Sequence, residues 1–498
     1  YIQIRSVCHG PEYQACPSSS PNHGPDAWLC TGRWKTPMRV KKGQIVEVEI
    51  QDVAFGGKGI ARIDGLAVFV DQAVTGDRVE ARIVRKRKQY AEARVMRLVS
   101  PSPDRVPAPC PYSGFCGGCK WQFLRYECQL AYKRRHVAES LKHIGGLEGV
   151  NVHSTLPADP IFGYRNKMEF SCADRRWLLP AEMHREDVDI GFALGLHVPG
   201  TFHKVLDTQA CLLQPDRGND LLGTVRREMR RSGLPPYGLR SHEGFWRFLM
   251  LRHSVAHERW LVNLITAAED THRLQPMAER IRQRYPEVVS VVNNVTARKA
   301  AVAFGEYEVA LAGENGLRDR IGSYEFEISA NSFFQTNTRA ARRLYEMTKA
   351  YARLRGTDRV VDLYCGTGTI SIYLADAARR IDGIEIAESA VADARRNCAL
   401  NGIDNCRFLC GDARGRLPEL KTPDVMVVDP PRDGMHKDVV SQVLAMGPRR
   451  IVYVSCNPAT LARDVAVLKS DYRVAEVQPV DMFPHTWHIE SVARLERC

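Results

Sequence analysis

The sequence predicts a multidomain α/β protein: a small N-terminal β-barrel, an α+β central region, and a C-terminal domain with a parallel, doubly wound sheet. Three observations predict this. Between Val40 and Ser100 apolar and polar residues alternate with period two, broken by Gly-rich turns. Five prolines fall between Pro101 and Pro111 and mark a linker. From Arg339 onward, short apolar runs recur between helix-length segments. A chain of 498 residues also exceeds what one hydrophobic core ordinarily organises.

Taken in order, residues 1–37 are rich in Pro, Ser, His and Gly, lack periodicity and begin at Tyr1. They are expected to be a disordered leader or an upstream stretch foreign to the fold. Cys8, Cys16 and Cys30 within them lack metal-ligand spacing. Residues 38–100 hold the runs Gln44–Ile50, Leu66–Val70 and Arg78–Val84, read as barrel strands; the basic run Arg85–Lys88 with Tyr90 follows as a candidate phosphate-contact surface. Residues 101–330 open on a cysteine cluster and a helical pattern over Trp121–Leu141. Basic and aromatic residues then mingle at Phe162–Lys167 and Phe245–Phe248. Residues 331–498 begin with a helix from Arg339, and Val360–Leu363, Arg380–Glu385, Asp424–Asp429 and Ile451–Ser455 read as buried parallel strands.

Composition narrows the function classes. Hydrophobic content of 44% with 26% charged residues suits a soluble globular protein. Lys and Arg number 70 against 58 Asp and Glu, and the resulting +12 suits a polyanionic partner such as nucleic acid. No run approaches the roughly 18 apolar residues of a membrane span, and no secretion signal opens the chain. A cytoplasmic location is therefore expected, where 15 cysteines serve as metal ligands, nucleophiles or core residues rather than disulfides.

Two constellations carry chemistry. The first predicted strand of the C-terminal domain runs into Asp362-Leu363-Tyr364-Cys365-Gly366-Thr367-Gly368-Thr369 before a helix. Glycines there allow a tight turn and a close backbone approach to a ligand. Glu385 ends the next strand, 23 residues after Asp362, where a carboxylate can hold ribose hydroxyls, and Asp412 ends the third. Three acids at successive strand ends repel a pyrophosphate, which disfavours a nicotinamide dinucleotide and favours a cationic sulfonium. The second constellation is Asp429-Pro430-Pro431-Arg432 with Ser455-Cys456-Asn457-Pro458 and His485-Thr486-Trp487-His488-Ile489-Glu490. Arg432 stands where amine-methylating enzymes of this fold carry an aromatic residue. Cys456, at a strand's C-terminal end, is a nucleophile candidate, whereas Cys398, Cys406 and Cys410 are read as core residues. Glu490 is a candidate base; a His485, His488 and Glu490 iron site is the alternative, disfavoured by spacing. Upstream, Cys110, Cys116 and Cys119 place three thiols within ten residues around Gly117 and Gly118. Cys128 is a local candidate for a fourth ligand and Cys211 a better one; spacing leaves zinc and a four-iron cluster open.

Together the motifs resemble the RNA uracil-5-methyltransferase family, on Phe333-Phe334-Gln335-Thr336-Asn337, the Asp362–Gly368 turn, Asp429–Arg432, Ser455–Pro458 and His488-Ile489-Glu490. The resemblance implies a Rossmann-like methyltransferase domain in which Gln335, Tyr364, Glu385, Asp412 and Asp429 contact S-adenosylmethionine, with Thr369 at a position that varies in the family. It implies Cys456 as nucleophile and Glu490 as base. A thiol suits uracil because carbon 5 is a poor nucleophile until a thiolate adds at carbon 6, and a thiolate also leaves readily. Residues 38–100 resemble the TRAM domain, an OB-like RNA-binding barrel, through their strands and Phe55-Gly56-Gly57-Lys58-Gly59. In the branch that modifies 23S ribosomal RNA, the cysteine pattern carries a [4Fe-4S] cluster, which implies ligands Cys110, Cys116, Cys119 and Cys211. The tRNA-directed branch typically lacks both barrel and cluster. The expected protein is thus a monomeric 23S rRNA methyltransferase that flips a loop uridine into its site. The alternatives are a tRNA or cytosine-5 enzyme, or a catalytically silent iron–sulfur RNA-binding protein.

Overall fold

The structure, a computed structural model, describes residues 40–300 and 302–498. The expected leader at 1–37 lies outside them. From Val40 the chain forms β1 (Ile45–Glu49), β2 (Asp52–Val53), β3 (Gly59–Ile63), β4 (Leu66–Asp71), β5 (Arg78–Lys86) and β6 (Tyr90–Ser100). They form one six-stranded sheet in the order β1-β5-β6-β4-β3-β2. The alternation works as read: Val46 and Val48 of β1 point inward with Val68, Val70, Val79 and Ile83. Only three of the six strands were legible, because β2 is two residues long and β6 carries charge along its exposed half. The basic run caps the β5–β6 hairpin, where the Arg87 N–H donates to the Tyr90 carbonyl at 2.8 Å.

Helix α1 (Tyr126–His143) begins later than the pattern from Trp121 predicts. Trp121–Leu124 instead forms a turn, with the Leu124 N–H on the Trp121 carbonyl at 3.0 Å. Its Val137 and Leu141 share a core with Ile451, Tyr453 and Leu461, so this helix belongs physically to the C-terminal sheet. The central sheet is built from β7 (Lys167–Ala173), β8 (Ala193–His197), β9 (Val205–Leu206), β10 (Trp246–Ser254), β11 (Arg259–Thr266), β12 (Val288–Val295) and β13 (Tyr307–Gly313). Their order is β13-β12-β11-β10-β7-β8-β9. Helices α2 (Asp216–Arg231) and α3 (Thr271–Arg284) cover it, burying Leu222, Met229 and Ile281. A hairpin of β14 (Leu317–Ile321) and β15 (Tyr324–Ile328) contributes Ile321, Phe326 and Ile328 to the C-terminal core.

The C-terminal domain runs α4 (Thr338–Ala352), β16 (Arg359–Leu363), α5 (Thr369–Leu374), β17 (Arg380–Glu385), α6 (Glu388–Leu400), β18 (Cys406–Cys410), α7 (Ala413–Arg416), β19 (Val425–Val428), α8 (Lys437–Met446), β20 (Arg450–Ser455), α9 (Pro458–Leu468), β21 (Tyr472–Val480) and β22 (Glu490–Arg497). The sheet order is β18-β17-β16-β19-β20-β22-β21. Five strands are parallel, as expected, but β22 inserts antiparallel between β20 and β21. The sheet is therefore mixed rather than wholly parallel. Strand order reverses between β16 and β19, which opens a crevice at their C-terminal ends. Cys398 is buried as expected of a core residue, while Cys406 and Cys410 are half-buried. Among the described residues no helix is long and apolar enough to cross a membrane.

Candidate active site

The crevice is a cavity of about 850 Å³. It gathers Gln335, Tyr364, Thr369, Glu385, Asp412, Asp429, Cys456 and Glu490, which the sequence scatters over 156 positions. Its floor is the turn after β16. Tyr364, Gly366 and Gly368 have φ of +65°, +54° and +75°, so the chain coils left-handed, with the Cys365 N–H on the Ile384 carbonyl at 3.1 Å and the Gly368 N–H on the Cys365 carbonyl at 2.9 Å. A Cβ on Gly368 would lie 2.9 Å from the Ala394 methyl and the Phe408 ring. Glu385 fixes this turn to the next strand: its carboxylate accepts from the Gly366 N–H at 3.1 Å and the Ala387 N–H at 2.9 Å. Thr369 pairs with the Tyr345 hydroxyl at 2.9 Å. Asp412 caps α7 and meets Arg414 at 2.8 Å, which holds its carboxyl down at about 2. Phe333 and Ile386, each 67% exposed, flank the cavity mouth.

The central sheet positions the Gln335 wall. Asn166 donates to the Gln335 carbonyl at 2.9 Å and to the Thr338 hydroxyl at 2.7 Å. Buried Arg252, on β10, donates to the carbonyls of Ala330 and Ser332. On the opposite wall the Pro430–Met435 loop is clamped by α9. Asn457 and Thr460 both donate to the Arg432 carbonyl, at 3.0 and 3.2 Å. Asp464 accepts from the Met435 N–H at 2.8 Å and the Tyr453 hydroxyl at 2.7 Å. These positioning residues carry no motif, because each acts on a backbone group remote in sequence.

Cys456 and Glu490 meet through strand register. In the antiparallel β20–β22 ladder Ser455 pairs with Ser491, so Cys456 and Glu490 are the next step at its end. Burial, then Glu490 and Asp429, push the Cys456 thiol up to about 12, opposed by Arg432. Burial also lifts Glu490 well above the usual carboxylate range, and lifts Asp429 to about 7 with Asp362 adding to the effect. Asp362 itself, buried beneath the turn, accepts from the Ser371 hydroxyl at 2.6 Å, while its second oxygen has no partner. Cys456, Glu490 and Asp429 are thus all shifted toward holding their protons, and Arg432 opposes the shift at Cys456 and Glu490. The alternative iron site is not formed: His485 points away, stacked on Phe162 at 4.2 Å and held by Gln129 at 3.3 Å.

The cysteine cluster is looser than a closed ligand set. Among the described residues no group of three or more His, Cys, Asp or Glu side chains is set to hold a metal ion. The four thiols nonetheless share one neighbourhood. Burial pushes Cys116 up to about 11 and Cys119 up to about 12, and Cys110 and Cys211 add to both. Gly118 N–H donates to the Cys116 sulfur at 3.3 Å and Gln122 to the Cys119 sulfur at 3.1 Å. Cys128 interacts instead with Asp104 and Arg125. Phe245, Trp246, Arg247 and Phe248 are buried core, with Arg247 satisfying the Thr296 carbonyl at 2.9 Å, so this run offers no RNA surface. Phe55 packs edge-on against Trp487 at 4.9 Å, and Trp121 donates to the Gly57 carbonyl at 3.3 Å.

A glycine turn under a carboxylate-walled cavity at the switch point of a seven-stranded sheet is the arrangement of an S-adenosylmethionine-dependent methyltransferase. The family described as tRNA (Uracil-5-)-methyltransferase matches residues 272–414 and 416–498, and the TRAM domain matches residues 39–96. An RNA methyltransferase of Chlorobaculum tepidum is 44% identical over 92% of this chain and 98% of its own. One from Halalkalibacterium halodurans is 39% identical over 92% and 98%. The crystal structure of Pyrococcus abyssi tRNA (uracil-54, C5)-methyltransferase with S-adenosyl-L-homocysteine is 29% identical, with a TM-score of 0.70 over 90% of this chain and all of that one. The chain belongs to the TRAM-containing RNA (uracil-5-)-methyltransferase family.

The acid cluster predicts how cofactor binding depends on pH. Asp429 is neutral below about 7 and ionised above it. A sulfonium favours the ionised form, whereas the neutral sulfide of S-adenosylhomocysteine does not. The affinity ratio of the two ligands is expected to rise about tenfold toward the sulfonium between pH 6 and 8. Calorimetric titration of both ligands at each pH checks this, and a flat ratio places the sulfonium away from Asp429.

Proposed function

We propose that this protein methylates carbon 5 of a loop uridine in 23S ribosomal RNA through a covalent Cys456 adduct. The observation that carries the reading is the juxtaposition of Cys456 and Glu490 at the end of one ladder, inside the cavity that also holds the glycine turn. Bound there, S-adenosylmethionine supplies an electrophilic methyl group. The cavity suits it: Glu385 and Asp412 line it beside the Tyr364–Thr367 turn as hydroxyl and amino acceptors. The Cys456 thiolate adds to carbon 6 of the uracil, and the ring's double-bond electrons move onto the carbon 4 oxygen. That enolate makes carbon 5 nucleophilic. After methylation, Glu490 takes the carbon 5 proton, the double bond re-forms, and the carbon 6–sulfur bond breaks to free Cys456. Arg432 favours the ionised forms of both residues. One chain supplies every group required, so the reading takes a monomer working in the cytoplasm.

The reading includes a [4Fe-4S] cluster on Cys110, Cys116, Cys119 and Cys211. Four thiols in one neighbourhood, Cys211 buried and Cys110, Cys116 and Cys119 half-buried, with N–H donors on two of the sulfurs, suit a sulfur-bridged cluster. The cluster takes no part in methyl transfer. Protein purified without oxygen is expected to contain iron and acid-labile sulfide in equal amounts, about four of each per chain, and Cys211→Ala to lose most of both. Zinc without sulfide would overturn the assignment.

The substrate is tested by incubating anaerobically purified protein with methyl-labelled cofactor and either unmodified 23S rRNA or tRNA, then identifying the labelled nucleoside. 5-Methyluridine in ribosomal RNA supports the reading. A tRNA substrate is the second reading, favoured by the Pyrococcus abyssi enzyme, whose full length matches 90% of this chain. That match also removes the argument that this architecture excludes tRNA. Label in tRNA alone would keep the chemistry and replace the substrate; label in neither would favour a silent RNA-binding protein.

A further inference from the structure

A second cavity, about 710 Å³, lies in the central domain beyond the C-terminal end of β7. It shares no lining residue with the active-site cavity. Its walls carry Arg175, Arg176, Lys204 and Arg240 against a single carboxylate, Asp174. Arg176 is committed to Glu182. Among the described residues Arg175, Lys204 and Arg240 have no carboxylate partner. Lys204 instead sits over the Trp177 ring at 3.7 Å, and that indole is 39% exposed. Free cations around a solvent-facing aromatic ring are the chemistry that grips single-stranded nucleic acid, the cations taking phosphate and the ring a base.

Position strengthens the case. β7 begins at Lys167, next to Asn166, which holds the Gln335 wall of the active site, and ends at Ala173, which borders the second cavity. Six strand steps separate the two, roughly 20 Å. A strand of RNA with one base in the active site reaches the second cavity within a few nucleotides.

We propose that this cavity is a second nucleotide subsite that binds an unpaired nucleotide of the RNA substrate near the target uridine, its base on Trp177 and its phosphate on Arg175 and Arg240. The proposal rests on the RNA-methyltransferase reading and deepens it, by making target choice depend on unpaired RNA on one side of the methylated base.

The test measures methyl transfer to 23S rRNA and tRNA transcripts by the full chain, by Trp177→Ala and by the Arg175→Ala/Arg240→Ala pair. Unchanged S-adenosylhomocysteine binding checks that each variant folds. Trp177→Ala is expected to raise the KM for RNA about tenfold with a far smaller effect on kcat. The double variant is expected to flatten the salt dependence of RNA binding by about two contacts. On a minimal hairpin too short to reach the second cavity, wild type and variants should converge. Wild-type KM and salt slope in both variants, with active wild type, would overturn the subsite alone. If wild type methylates neither RNA, the parent reading fails. The subsite is then read by binding of a labelled oligouridylate, and full affinity in Trp177→Ala overturns it.

Discussion

Glu490→Gln is expected to leave the protein covalently attached to its RNA, and Cys456→Ala to abolish that attachment. The first variant keeps the nucleophile and removes the base. Carbon–sulfur bond formation and methylation then proceed, but the carbon 5 proton has no acceptor and the carbon 6–sulfur bond cannot break. A denaturation-resistant RNA–protein band should accumulate in the presence of S-adenosylmethionine, with turnover reduced about 10²- to 10⁴-fold. Cys456→Ala should lose methyl transfer by at least about 10⁴-fold while still binding RNA. The double variant should show no band. A band in the double variant would assign the nucleophile elsewhere. The resting protonation state adds a pH dependence. Burial pushes Cys456 up to about 12 and lifts Glu490 well above the usual carboxylate range, so both resist losing a proton. The reaction needs their deprotonated forms, and kcat/KM should rise with pH between 6 and 8. Cofactor binding sharpens this, because a sulfonium beside Asp429 favours loss of protons from the whole cluster.

The cofactor half of the site was legible because its signals are local. A glycine turn and an acid at each strand end are read from a few adjacent residues, and the parallel sheet places strand ends side by side whatever lies between them. The geometry joining Cys456 to Glu490 was not legible. It depends on β22 running antiparallel beside β20, and β22 hides its strand character: buried Arg494 and Ser491 interrupt its apolar pattern. Arg494 is tolerated there because Glu476 and Glu496 pair with it. The Phe245–Phe248 run mingles aromatic and basic residues, and the sequence does not show that Arg247 is buried to satisfy loop carbonyls. An exposed aromatic–cation pair is instead formed by Trp177 and Lys204, in a segment without periodicity, where the two residues are 27 positions apart.

Lys133→Met is expected to cost about 3–5 kcal/mol of stability and, separately, to impair catalysis. Lys133 on α1 is fully buried and meets fully buried Asp481 at 2.6 Å. Its ammonium also donates to the Phe483 carbonyl at 3.0 Å, and Asp481 accepts from the Tyr126 hydroxyl at 2.8 Å and the Phe483 N–H at 3.0 Å. Removing the cation strands a buried carboxylate, which is the source of the stability loss. These bonds anchor the start of the 481–489 connection, at whose far end Glu490 enters the cavity. The middle of that connection is held from the cysteine loop: the Lys120 and Trp121 N–H groups both donate to the His485 carbonyl, at 2.9 and 3.0 Å. Glu490, the proposed base, is therefore positioned by α1 on one side and by the residues following Cys119 on the other. Pairing Lys133→Met with Asp481→Leu separates the two effects. Replacing both partners by apolar groups should recover most of the stability, while kcat stays depressed because Phe483 has lost its anchors. Denaturant unfolding and single-turnover methylation measure the two quantities independently. Recovery of kcat together with stability would show that Lys133 supports only the fold and that Glu490 is positioned without it.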